Sequence, residues 1–427
     1  FLLALVCLGL QSCLFQEEDY FDDSSANRAT ADVKRCSELL EAAPNGWVME
    51  YYVGKDYSLG GITLLCKFDG QRVTMASQIA GADETVSSLY SVKSEQATML
   101  SFDTYNYLVH YFGQPQGSMA DDPNGTLGGD YEFVISDATA DRIELKGKKY
   151  GNRIVMKAFS ADQTWKQYLT RIKKVEDDAF FYEYDLRMDG LYTGQMLRSN
   201  YTFIVTYYDE VGKVYQKTVP FMFTTDGMRF HEPVTIDGQT MQNFVWKNEE
   251  ISFVCTDEGA TGVKMKGIYI DGYQSYDYYP GTYLMDFYRL NGATNQLEVA
   301  SQEIQLVKNE DGKSYWLKGL EYDILVTYDK PRGGLSILPQ FLKKVQGGYV
   351  YLAMWDLMND YVLRSSAIGL ISYPTTDGIY LVDNGVWMGE ISGFIFGVYD
   401  SQDEEASFMG YTDAVAAIRL IKKTIEE

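Results

Sequence analysis

Chemistry in this chain would have to come from few conventional catalytic groups. His110, within Tyr107-Leu108-Val109-His110-Tyr111-Phe112, and His231, after Arg229-Phe230, are the only histidines. Neither stands in HExxH or another metal-ligand spacing, which disfavours a multi-histidine metal centre and a histidine-dependent triad. The patterns GxSxG, GxxxxGK[ST] and GxGxxG are absent. Carboxylates are plentiful, at 60 Asp+Glu, so a hydrolase working through a carboxylate pair stays open without any particular pair being marked. Asp121-Asp122-Pro123-Asn124-Gly125 and Asp400-Ser401-Gln402-Asp403-Glu404-Glu405 hint at calcium but lack the EF-hand order. Both are expected to be turns, and no metal, cofactor or catalytic residue is assigned.

Aromatic residues are the better lead. The segment from Tyr269 to Tyr288 holds Tyr273, Tyr276, Tyr278, Tyr279, Tyr283 and Phe287, with Asp271, Asp277 and Asp286 interleaved. Flat rings stack on the apolar faces of sugars, and carboxylates beside them accept hydroxyl hydrogen bonds. Tyr273, Tyr276, Asp277, Tyr278 and Tyr279 are therefore the candidate ligand contacts. The competing reading is that tyrosine, favoured in strands, fills sheet positions and keeps its hydroxyl near water. Lys146, Lys148 and Lys149 around Gly147 suggest either an anion site or a solvated hairpin tip. The loop from Gly113 to Gly129 is long for a hairpin and rich in Gly, Pro and Asp, as binding loops often are.

The elements that must position these groups are mostly strands. A chain of 427 residues predicts two or three domains, each with its own core. A hydrophobic fraction of 46% and an aromatic fraction of 15% exclude intrinsic disorder. The net charge of −23 argues against a nucleic-acid partner, since phosphate backbones are met with Lys and Arg. Ser25–Ala43 has helical spacing and is stopped by Pro44-Asn45-Gly46. Eight strand-like runs follow, Trp47–Val53, Ile62–Phe68, Arg72–Ala76, Ser87–Val92, Thr98–Tyr105, Tyr131–Ser136, Arg142–Lys148 and Asn152–Phe159. Short turns such as Asp69-Gly70 join most of them, so neighbours should be antiparallel. Eight such strands can close into a lipocalin-like meander barrel, and a two-sheet sandwich is the competing solution.

A second helix is expected after Ser160-x-x-Gln163, which has capping-box spacing, with Trp165, Leu169, Ile172 and Val175 on one face. Strands resume at Thr202–Tyr208, Val214–Thr224, Met228–Ile236, Phe244–Trp246 and Ile251–Cys255. Whether these extend the first domain or form a middle one is left open by their pattern. From residue 272 another aromatic-rich meander suggests a second barrel-like domain, whose last run, Ala416–Lys423, reads equally as strand or helix. The fold class is thus mainly β, with two lipocalin-like antiparallel meander barrels or sandwiches, a short N-terminal helix and a linking helix. The expected division is 1–13, 14–24, 25–159, 160–271 and 272–427. Cys36, Cys66 and Cys255 form an odd, widely spaced set, so they are expected to be small buried hydrophobes, with one bridged pair as the alternative.

The N-terminus reads as an address. Phe1–Gly9 is apolar but too short to span a bilayer, and it matches the core of a signal peptide. With no initiating Met and no basic stretch before it, the run is expected to begin inside that signal. It ends in Leu10-Gln11-Ser12-Cys13, which resembles a bacterial lipobox whose cleavage leaves Cys13 lipidated; an ordinary secretory signal with an incidental cysteine is the alternative. Glu17, Glu18, Asp19, Asp22 and Asp23 then form an acidic leader, similar to surface-export signals of Bacteroidetes lipoproteins or merely solvated.

A wider resemblance rests on Asn45-Gly46-Trp47, Gly60-Gly61, Ser87-Ser88-Leu89-Tyr90 and Leu100 through Asn106. Gly128-Gly129-Asp130-Tyr131-Glu132-Phe133 and Leu145-Lys146-Gly147-Lys148-Lys149 complete it. Together these runs resemble a Bacteroidetes lipoprotein family known only as a domain of unknown function. The resemblance implies an outer-membrane lipoprotein, exposed at the cell surface, often encoded beside SusC/SusD-like uptake proteins. It transfers no catalytic residue. The function expected is binding of an extracellular glycan or peptide for such an uptake system, with the acylated Cys13 in the membrane lipid. A carboxylate-dependent hydrolase and a structural or assembly subunit are the alternatives.

Overall fold

A computed structural model describes residues 24–115, 126–209, 211–403 and 405–423. Cys13, the signal and nearly all of the acidic leader lie outside them, as do Asp121–Gly125 and Glu404. The chain divides into two compact units, up to Gly267 and from Ile268 onward. Among the described residues no helix is long and apolar enough to cross a membrane.

Helix α1 (Ser25–Ala42) starts at Ser24, whose side chain accepts the amide of Asn27. It buries Cys36 and Leu40 in the core of the sheet that follows. That sheet is β1 (Trp47–Val53), β2 (Gly60–Asp69), β3 (Arg72–Ser77), β4 (Val86–Ser94), β5 (Thr98–Phe102), β6 (Glu132–Ala138), β7 (Arg142–Gly147) and β8 (Arg153–Ala158). Each strand pairs antiparallel with the next, and β8 returns to β1 with Trp47 opposite Ala158, closing the barrel expected from the sequence. Inward positions alternate with outward ones: Trp47, Met49, Tyr51 and Val53 of β1 enter the core, while Val48 and Glu50 do not. Bulky residues fill the interior, and Trp47 Nε1 donates to the Leu40 carbonyl at 2.8 Å, tying α1 to the barrel. A four-residue helix, α2 (Tyr107–His110), is capped by the Asn106 side chain.

The sequence runs around Asp130 and Gly147 prove to be one device. The Asp130 carboxylate accepts the backbone amides of Lys149 (2.7 Å) and Tyr150 (3.1 Å), pinning the β7–β8 turn. A Cβ on Gly147 would lie 2.1 Å from that carboxylate, so only glycine leaves it room. Of the lysines there, Lys148 is counterbalanced, 3.0 Å from both Glu95 and Glu132.

Helix α3 (Trp165–Asp178) begins one turn later than its expected cap. The capping box is Thr164 with Gln167, not Ser160 with Gln163, because Thr164 holds the extended backbone and accepts the Gln167 amide at 3.2 Å. Leu169 packs on the outer wall of the barrel against Leu65, Ala76 and Phe159, while Ile172 and Val175 join the core of a second barrel. Glu176 couples the two, accepting from Tyr201 at 2.7 Å and from Gln78 at 3.5 Å.

The second closed barrel comprises β9 (Glu183–Met188), β10 (Leu191–Ser199), β11 (Thr202–Tyr208), β12 (Val214–Phe223), β13 (Gly227–Ile236), β14 (Gln239–Lys247), β15 (Ser252–Cys255) and β16 (Val263–Ile268). The sequence pattern missed β9, β10 and β16: β9 and β16 are six-residue strands whose outward positions are mostly charged, and β10 turns only Gly194 and Met196 inward. Cys36, Cys66 and Cys255 are all buried thiols with no disulfide among them.

The C-terminal unit contains β17 (Gly281–Asn291), β18 (Gln296–Lys308), β19 (Ser314–Lys318), β20 (Ile324–Asp329), β21 (Gly334–Ile337), β22 (Gln340–Val345), β23 (Gly348–Asp356), β24 (Tyr361–Leu363), β25 (Leu370–Thr375), β26 (Gly378–Asp383), β27 (Gly393–Tyr399) and β28 (Phe408–Lys422). Pairings run β17-β18-β19-β20-β21-β25-β26-β28 and back to β17, a closed circuit from which β27, β23 and β22 extend as a leaf. β28 serves both parts, bonding β27 through Phe408–Ala416 and β26 through Arg419 and Leu420. The helix formers in Ala416–Lys423 yield to this pairing on both edges, so the segment is strand.

Trp47 joins α1 to the first barrel through both packing and a hydrogen bond. Trp47→Ala is expected to destabilise the N-terminal unit by about 3–5 kcal/mol, read as a lower urea midpoint; an unchanged midpoint would remove that role.

Candidate functional site

The leaf of the C-terminal unit presents aromatic residues outward by simple alternation. Val350, Leu352 and Met354 of β23 enter the main core, which leaves Tyr349 and Tyr351 on the opposite face. Register then brings rings together: Phe341 lies opposite Tyr351, and Tyr399 lies opposite both Tyr349 and Phe408. Ring centroids are 5.4 Å apart for Phe341 and Tyr351, 5.7 Å for Tyr351 and Tyr399, and 5.5 Å for Tyr399 and Phe408. Gly397 faces Tyr351 across the sheet, and a Cβ there would press on the rings of Tyr399 and Phe408 at 3.0 and 3.1 Å. Its missing side chain is what lets those two rings lean inward.

Beside this row is a cleft of about 630 Å³, lined among others by Tyr351, Arg364, Ser365, Tyr399, Gln402 and Phe408. The Arg364 guanidinium lies 4.2 Å from the Tyr399 ring centre and 4.8 Å from that of Tyr351, and it donates to the Asp403 carbonyl. Stacking holds its planar fork of donors in one orientation. Burial lifts the Tyr399 phenol above its ordinary value, against the pull of Arg364, so the ring stays neutral. Among the described residues lining the cleft there is no carboxylate, histidine or cysteine side chain. The arrangement is equipped to hold a ligand through ring faces, a guanidinium, hydroxyls and an amide.

The tyrosines singled out in the sequence lie elsewhere in this unit. Tyr279 is buried and donates to the Gly333 carbonyl at 2.8 Å. Tyr276 stacks on Tyr315 with centroids 4.7 Å apart and donates to the Ser314 carbonyl at 2.8 Å. Tyr315 donates back to the Tyr276 carbonyl at 2.7 Å, and the Tyr328 hydroxyl lies 3.0 Å from that of Tyr273. Tyr273, Tyr276 and Tyr279 are thus brought together as a hydrogen-bonded cluster that anchors the segment before β17. Tyr278 and Asp277 stay at the surface, Tyr278 under the Lys422 ammonium at 4.9 Å and Asp277 paired with Lys308. The cleft residues gave no local signal in the sequence, because Phe341, Tyr351, Arg364, Tyr399 and Phe408 are single aromatic or basic residues in separate segments.

Neither histidine stands near a metal-type set; among the described residues no three His, Cys, Asp or Glu side chains group to hold an ion. His110 accepts the Asn106 amide at 3.1 Å and stacks on Tyr131, centroids 4.7 Å apart. His231 lies between Tyr52 and Tyr57, at 4.3 and 4.0 Å, with Glu232 3.7 Å from its Nε2. Burial lowers its pKa, assisted by Arg229 and Arg153 and opposed by Glu232 and Glu50. The unfolded chain takes up this proton below about pH 6.5 while the folded chain resists it, so stability is lost as the pH is lowered through that window. Urea midpoints should drop between pH 7 and 5 and drop less in His231→Asn; equal slopes would rule the histidine out.

The family model described as a domain of unknown function, DUF4302, matches residues 17–248. A second, DUF4987, also a domain of unknown function, matches residues 256–395. No curated protein matches the chain. A crystal structure of a protein of unknown function from Nostoc punctiforme, of the DUF3598 family, is 7% identical and covers 58% of this chain and 98% of that one. Its TM-score of 0.15 is too low to carry an argument. Since the first family model spans more than half of its length, the chain belongs to the DUF4302 family.

Proposed function

We propose that this protein is a surface-anchored lipoprotein that binds an extracellular glycan at the aromatic cleft, for an outer-membrane uptake system. One observation carries the binding reading: the ring row of Phe341, Tyr351, Tyr399 and Phe408, joined to a cleft whose guanidinium is already stacked and oriented. Sugars offer apolar C–H faces and many hydroxyls, and this surface supplies the complement of both. Phe341 and Phe408 are each 45% exposed, which leaves apolar ring surface to be covered by a ligand. The anchoring half rests on Cys13 after Leu10-Gln11-Ser12 and on the acidic leader that follows. Several acyl chains hold a protein firmly in a membrane, because each buried methylene contributes about 0.8 kcal/mol. The partners in this reading are the membrane lipid, a SusC/SusD-like transporter and the glycan.

Two experiments test the two halves. A glycan array followed by calorimetry on the soluble chain carrying Cys13→Ser should find a ligand, and Tyr351→Ala with Phe408→Ala should weaken it by about 2–4 kcal/mol in total. A retained affinity in that folded double variant would discard the cleft. Labelled palmitate should enter the wild-type chain but not Cys13→Ser; equal labelling, or none in either, would discard the anchor.

A further inference from the structure

The two barrels of the N-terminal unit meet along outward-facing residues, and a cavity of about 180 Å³ lies in that seam. Its first wall is the outer face of β7, β8 and β1. Strand alternation sends Ile143, Ile154, Met156 and Tyr51 into the barrel core and leaves Arg142, Arg153, Lys157 and Tyr52 outside. Its second wall is β13, where the register with β14 shifts between Arg229 and Val234. Such a bulge re-aims side chains; here Phe230 goes inward, and Arg229 and His231 line the cavity. Gln242 fills the irregular stretch, donating to the carbonyls of Phe230 and His231 at 3.2 and 3.3 Å.

Two features of this cavity are unexpected in a chain of net charge −23. The first is a convergence of cations. Arg142 lies directly opposite Lys157 in the sheet, a like-charge pairing that strands ordinarily avoid. The cations are served by few carboxylates: Arg142 and Arg153 share Glu144 at 2.8 and 2.9 Å, while Lys157 and Arg229 share Glu50. Burial opposes the charge on Glu50, but Arg229 and Lys157 outweigh it and hold its carboxyl below the ordinary range. Glu50 and Glu232 line the cavity with the cations, Glu232 with its side chain 74% exposed. The second feature is Tyr52. Its residue is 3% exposed, it lines the cavity, and its hydroxyl, withdrawn from solvent, has the Arg229 guanidinium as polar neighbour but no acceptor for its own proton. A buried hydroxyl proton with no acceptor is costly and rare.

We infer that this seam is a binding site for a tetrahedral oxyanion, a phosphate or sulfate group, held by Arg142, Arg153, Lys157 and Arg229 with the Tyr52 hydroxyl as a further donor. The guanidinium forks suit such oxygens, and the anion relieves the Arg142–Lys157 repulsion. Because its ligands come from both barrels, the bound group ties one to the other. The site is separate from the aromatic cleft and stands whether or not that cleft binds a glycan. The group is either the free ion or an ester carried on a sugar.

The test uses the full chain carrying Cys13→Ser, with inorganic phosphate, inorganic sulfate, glucose 6-phosphate and glucose 6-sulfate as probes against chloride at matched ionic strength. Phosphate or sulfate at about 10 mM should raise the melting temperature, as any ligand of the folded state does. Arg153→Gln, at a side chain that is 57% exposed, should weaken binding by about tenfold or more in calorimetry. Tyr52→Phe should weaken it, and should lower the melting temperature more in phosphate than in chloride, since the hydroxyl proton has no acceptor in the free protein. Tighter binding of the inorganic ions would assign the free ion, and tighter binding of the sugar esters the ester. No response to any of the four, or a response unchanged in both variants, would overturn the site.

Discussion

Backbone pairing at the two ends of each meander governs this molecule. A sheet of eight antiparallel strands has two edges of unpaired amides and carbonyls, and these must be matched or hidden. In the N-terminal unit β8 returns to β1 and β16 to β9, so both meanders match their own edges. In the C-terminal unit β28 does this for β17, and its other edge is long enough to carry a further leaf. Closure also sorts side chains. Once a strand is part of a closed wall, alternate residues must point in or out, and the inward set must fill a confined volume.

That filling explains why the candidate sites lie on walls and not inside barrels. The first barrel holds Trp47, Tyr51, Phe68, Phe102 and Phe133 with both helix α1 and α2 residues added, and the second holds Phe203, Phe221, Phe223, Phe230 and Phe253. Interiors filled by side chains in this way approach the packing density of small-molecule crystals. What is available is the outward set. Where outward positions are aromatic, as on β22, β23 and β27, they make a platform. Where two outer walls meet with charged residues, as at β8 and β13, they make a half-open polar seam.

Much of the fold is legible in the residues. All eight strands of the first barrel follow from turn residues and alternation, because Asp69-Gly70 and similar turns break the chain at short intervals. The linking helix is legible from Leu169, Ile172 and Val175, although its cap lies at Thr164. The second barrel was less legible, since β9 and β16 are short with charged outward positions and β10 turns only Gly194 and Met196 inward. The sites were hardly legible at all. The dense tyrosine segment drew attention by composition, yet Tyr276 and Tyr279 direct their hydroxyls to backbone carbonyls. Phe341, Tyr351, Tyr399 and Phe408 are scattered along the chain and become one surface only through strand register.

The sequence alone determined a helix-poor, turn-rich β chain, its strand period, its acidic charge and the Cys13 pattern, because these depend on local spacing and composition. Only the tertiary structure decided which strands close on which, and therefore which outward residues become neighbours. Arg229 and Lys157 are 72 residues apart in number, yet both reach Glu50. Contacts of that kind come from the register of closed sheets and the meeting of two walls, and no local pattern encodes either.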